Sequence, residues 1–76
     1  MKFLRTGLKM NNSTELTKAF YDIFHILEAI NAYRGIANIK IDENQDYYIC
    51  TVVSSKHSSQ LVLNEFSNYV LGLMNL

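Results

Sequence analysis

Apolar residues recur along this chain in two rhythms, one with a step of two residues and one with steps of three and four. Over residues 2–10, Leu4, Thr6, Leu8 and Met10 share one face at period two, the spacing of a strand, with Gly7 inside it. Residues 11–14 are polar and read as a turn. Asn12 and Glu15 have the reciprocal spacing of a capping box, with Asn in place of the usual Ser or Thr. From Leu16 the apolar positions are Leu16, Phe20, Ile23, Leu27, Ile30 and Tyr33 or Arg34. Those steps predict a long amphipathic helix, its stripe widened by Phe24, Ile26 and Ala29. The same stretch admits a second reading, in which the aromatic-rich residues 18–24 form a strand and the helix starts near His25. Gly35 predicts a helix end in the left-handed conformation that glycine adopts cheaply.

Period two returns at residues 38–42 and again at 47–54, separated by the polar residues 43–46, and the two strands read as a hairpin. In the second strand Tyr48, Cys50 and Val52 face one way and Tyr47, Ile49 and Val53 the other. Apolar residues on both faces predict a central strand, or a sheet whose second face a partner covers. Alternation also sends one of the rings of Tyr47 and Tyr48 to the face that the helices leave open. Serines at 54–59 form a loop that ends in helix-capping residues. A last helix then spans residues 58–74, with Val62, Phe66, Tyr69 or Val70, and Leu73 inward and Leu63 and Met74 on the flanks. Leu61 and Leu71 lie close to its polar side, so its apolar surface is wider than a solvated helix needs. The order is βαββα. It predicts a single small α+β domain over residues 1–76, a two-layer sandwich with a small antiparallel-rich sheet and two helices on one face.

Composition turns this pattern toward a partner. Apolar residues make up 49% of the chain and charged residues only 18%. A chain of this size buries roughly 60% of its unfolded surface, so self-association or a protein or peptide partner is the expected outlet for the surplus. Seven basic residues balance seven acidic ones, which leaves no electrostatic footprint for nucleic acid or an anionic membrane. No apolar run approaches the ~20 residues that span a bilayer. Residues 1–8 lack the apolar core and cleavage site of a signal peptide, and the lone Cys50 cannot close an internal disulfide, so the expected compartment is the cytoplasm.

Candidate chemistry is sparse. His25 and His57 have the natural proton-transfer pKa, yet no sequence pattern pairs either with a carboxylate or nucleophile. Cys50 sits inside a strand, where a thiol is a small hydrophobe rather than a nucleophile. Asp42, Glu43 and Asp46 cluster in the hairpin turn without the register of a calcium loop. Gly7, Gly35 and Gly72 are isolated, so no phosphate-cradling loop forms. These residues predict a protein that is not an enzyme and uses no cofactor or metal. A small enzyme built on His25 or His57 is the opposing reading.

Several short motifs carry a family likeness. Ala29-Ile30 and Ala32-Tyr33 in the first helix, Ile39-Lys40-Ile41 and Tyr48-Ile49 in the hairpin, and the run Glu65-Phe66-Ser67-Asn68-Tyr69-Val70-Leu71 resemble the HxsD-like proteins. These are small accessory proteins of the His-Xaa-Ser system. The likeness covers residues 24–71. Tyr69 departs from it, since the family has an acidic residue there. The family residue matching Phe24 often closes a strand, which keeps the strand reading of residues 18–24 open beside the long helix that the spacing favours. The resemblance implies an accessory that assists a radical-SAM enzyme in modifying a ribosomally made peptide, by binding the enzyme or the precursor. An exposed strand edge or the last helix would make the contact, with Tyr48, Phe66, Tyr69 and Val70 as the contact residues. A structural or regulatory homo-oligomer without a peptide ligand is the alternative.

Overall fold

The computed structural model describes residues 12–75. The strand expected over residues 2–10 lies outside them. The described order is β1 (Ser13–Thr17), α1 (Ile23–Ala32), β2 (Ala37–Glu43), β3 (Tyr47–Ser55) and α2 (Ser59–Leu73). The three strands form one antiparallel sheet in the order β1-β3-β2, so β3 is central. The result is a small α+β fold with βαββα order, as the periodicities predict. Its first strand, however, occupies residues expected to cap and open a helix.

Tertiary pairing explains that correction. Thr14 lies opposite Cys50 and Leu16 opposite Tyr48, so Leu16 enters the core from a strand rather than from a helix. Ser13, Glu15 and Thr17 take the other face, where Ser13 Oγ and Thr51 Oγ1 share a hydrogen bond of 2.9 Å. The capping box at Asn12 and Glu15 is therefore not formed. Thr17 closes the strand instead. Its carbonyl accepts from the N–H groups of Phe20 and Tyr21, and its hydroxyl accepts from Ala19 N–H. Residues 18–22 are a turn, neither the long helix nor the strand of the two sequence readings, and α1 starts at Ile23.

The helix ends also differ from expectation. Tyr33 caps α1, and its carbonyl accepts from both Ile36 and Ala37 N–H at 2.8 Å. This tight return reaches β2 without a left-handed residue, because no described glycine has a positive φ. The left-handed position is Asn75, just past α2, at φ 63°. Asparagine tolerates that region because its short polar side chain offsets part of the cost. The start of α2 follows the serine signal. Ser58 is the N-cap and its Oγ accepts from Leu61 N–H at 3.2 Å.

Both helices cover one face of the sheet. Leu16, Ala37, Ile39, Cys50 and Val52 pack from below against Ile26 and Ala29 of α1 and Val62, Leu63, Phe66 and Val70 of α2. The opposite face carries Tyr47, Ile49, Thr51 and Val53 on the central strand, between polar flanks. A bulge between Asn38 and Ile39 leaves Val53 without a β2 partner and turns it outward.

Candidate interaction surface

The four expected contact residues divide by burial. Phe66 and Val70 have no exposed surface at all. They are core residues, and a partner could reach them only by opening the domain, so they are withdrawn as contacts. The physical reason is phase, since α2 directs the 62-66-70 row straight at the sheet. Tyr69 stays 41% exposed and packs edge-to-face on Tyr33, with centroids 5.6 Å apart. Tyr33 in turn meets Phe66 at 5.7 Å. Burial first, then the Glu65 carboxylate and the Tyr69 phenol, raise the Tyr33 hydroxyl above its ordinary value of 10.0. Tyr48 lies half-buried on the helix face. Lys18 Nζ sits 5.2 Å from the centre of its ring and also pairs with Glu43 Oε1 at 2.5 Å. Tyr69 and Tyr48 thus do not share one surface with a buried anchor between them.

The larger apolar exposure is on α1 and the turn before it. Phe24 is 75% exposed, Phe20 53% and Leu27 46%. The periodicity places all three in the buried stripe, because Leu16 and Phe20 set the phase of a helix that starts seven residues too early. With α1 starting at Ile23, the inward row is Ile26, Ala29, Ile30 and Tyr33, and Phe24 falls opposite it. The signal that could have found this is the 23-26-30-33 spacing read alone. Phe20 meets Tyr21 edge-to-face at 5.3 Å, which braces the approach to the helix.

Between α1 and the outer edge of β2 runs a groove of about 280 Å³, lined by Leu27, Ile30, Asn31, Arg34, Asn38 and Ile39. A separate, smaller hollow of about 160 Å³ is lined by Ile23, Ile41 and Tyr48. Neither reaches the ~300 Å³ typical of small-molecule pockets. Among the described residues no strand pairs with this edge of β2.

The remaining candidates resolve into local roles. Asp22 Oδ2 lies 2.7 Å from His25 Nδ1, so the structure does set a carboxylate against this histidine. The contact is off-line for a hydrogen bond and becomes an ion pair only when the imidazole is protonated. It draws the Asp22 side chain away from the α1 backbone, which it does not cap. His57 is exposed in the loop before α2, where its backbone N–H donates to Ser55 Oγ. Cys50 is fully buried, and desolvation pushes its thiol up to about 12. Asp42 and Glu43 serve the hairpin, Asp42 accepting from Glu43 N–H and Glu43 pairing with Lys18. Among the described residues no three His, Cys, Asp or Glu side chains converge as a metal site would require. No described helix is long and apolar enough to cross a membrane. Comparison of the chain with protein-family models, with curated proteins and with solved structures finds no match.

Proposed function

We propose that the protein is a non-catalytic accessory that binds another polypeptide through the exposed crest of α1. The carrying observation is Phe24, a large aromatic 75% exposed on a helix whose other face is packed. An exposed aromatic on a rigid element is what a docking anchor requires. The likeness to HxsD-like proteins supplies the partner for this reading: a radical-SAM enzyme, or the ribosomally made precursor that it modifies. Tyr69 and Tyr48 are kept as secondary contacts on neighbouring surfaces.

The test is affinity capture of the tagged protein from its native lysate, read by mass spectrometry, beside the Phe24→Asp variant. Recovery of a radical-SAM enzyme or a short precursor peptide by the wild type, lost in the folded variant, supports the proposal. Recovery of the chain alone by both overturns it in favour of a structural homo-oligomer.

A further inference from the structure

Among the described residues β2 is an edge strand, defended by one bulge and by the charges of Lys40, Asp42 and Glu43. Natural edges are blunted by proline, by bulges and by charged side chains, which keep unlike strands away but leave a strand of complementary charge free to pair. The chain has no proline, and the one irregularity of β2 lies at Asn38 and Ile39, which leaves Ile39 to Glu43 regular. Ile39 and Ile41 face the helices, while Lys40 and Asp42 alternate with them on the open face. An edge of this kind can take another strand.

Its charges say which one. When two copies of β2 pair antiparallel about a twofold axis, helix-side residues stay on the helix side only if the axis passes through a residue position. Centred on Lys40, the pairing would set Lys40 against Lys40, which is repulsive. Centred on Ile39, it would set Lys40 against Asn38 and form no ion pair. Centred on Ile41, it sets each Lys40 opposite Asp42 of the second copy and Ile41 against Ile41. Both charge pairs then form together. This register also brings Ile39 opposite Glu43 of the second copy, whose carboxylate Lys18 already holds to one side.

The helix layer is compatible. Paired strands sit about 4.8 Å apart and packed helices about 8–10 Å, so two α1 helices, each set back from its own edge, can meet across the axis. The flank they would present is the groove wall, Ile23, Leu27 and Ile30. We infer that the protein forms a twofold dimer through antiparallel pairing of β2 with β2 of a second copy, centred on Ile41, which joins two three-stranded sheets into one of six strands. Phe24 points away from the sheet and stays on the outer crest of the dimer, so this inference stands apart from partner capture there.

Sedimentation equilibrium of the full chain tests it with two charge reversals. The wild type is expected to be a dimer. Lys40→Asp alone and Asp42→Lys alone each replace both attractive pairs by repulsive ones and should weaken self-association about tenfold or more. Mixed together, the two variants restore Asp against Lys at both positions and should form a heterodimer. A monomeric wild type, single variants that dimerise as tightly as the wild type, or a mixture that does not assemble would each overturn the inference. Partner capture on Phe24 can survive any of these results, and a dimer that captures no partner would fail only the functional proposal.

Discussion

The two helices lie on the same face of the same sheet, and the one richer in apolar residues, α1 with seven in ten against eight in fifteen for α2, buries fewer of them. α2 runs for 15 residues and buries Val62, Leu63, Phe66 and Val70, leaving Leu61 and Tyr69 as its exposed large side chains. α1 runs for 10 residues, fully buries only Ile26 and Ala29, and turns Phe24 and Leu27 outward. Apolar content therefore does not tell a helix that anchors the core from one that leaves its apolar side chains exposed. What separates them is phase: in α2 the phenylalanine, Phe66, falls on the row that meets the sheet, and in α1 the phenylalanine, Phe24, falls opposite. The helix that looked too oily for a monomer is the anchor. The surplus surface belongs to the shorter helix.

The comparison breaks most readily at Phe66. Phe66→Ala should lower stability by about 3–5 kcal/mol, a large part of what so small a domain possesses, as read by urea denaturation. A loss within the scatter of surface substitutions would show that α2 is not the anchor. On α1 the matched pair is Ile26 and Leu27. Ile26→Ala should cost about 2–5 kcal/mol, and Leu27→Ala distinctly less, because only the first creates a cavity. Equal costs in thermal or chemical melts would mean that α1 sits in a different phase.

Cys50, beneath both helices, gives a test in pH. Its folded thiol is raised from an ordinary value of 9.0 to about 12, so between those values the unfolded chain has lost a proton that the folded chain keeps. Stability is thus unaffected by this group below pH 9 and falls as pH rises toward 12, by about 1 kcal/mol per pH unit at the steepest. Tyrosine phenols titrate nearby, so the relevant measurement is the alkaline slope of the wild type less that of Cys50→Ala, expected to be negative. Identical slopes would place the thiol in water.

The helix starts differ on a smaller scale. Ser58→Ala should cost about 1 kcal/mol, since it orphans the Leu61 N–H. Asp22→Ala should cost less, because Asp22 makes no cap hydrogen bond. Smallest of all in stability is Phe24→Asp, expected within about 0.5 kcal/mol of the wild type by chemical denaturation. A large destabilisation there would reveal Phe24 as a packing residue and remove the contrast between the two helices.

Much of this fold was legible in the residues. The hairpin from β2 to β3, the capping role of the 54–59 serines and the inward row of α2 follow from local rhythm, because each rhythm belongs to one element. Tyr47 and Tyr48 split between the faces as alternation requires. The stretch from Ser13 to Ile23 was misread because Leu16 and Phe20 happen to lie on a helical continuation of Ile23 and Leu27. That accident moved the whole α1 stripe and hid Phe20, Phe24 and Leu27 among core residues. The candidate surface was accordingly the least legible part. Phe66 and Val70, chosen for it, lie in the core, and the strongest exposed aromatic was absent from it.

The sequence by itself determined the α+β class, the hairpin of β2 and β3 and the capped start of α2. Each of these rests on interactions within a few residues of one another. Only the tertiary structure decided that Ser13–Thr17 is a strand and that Phe24 of α1 faces water. Those outcomes depend on pairings such as Ser13 with Thr51 and Leu16 with Tyr48, between residues more than thirty positions apart. A strand that gains its stability from a distant partner leaves little of that stability in its own local pattern.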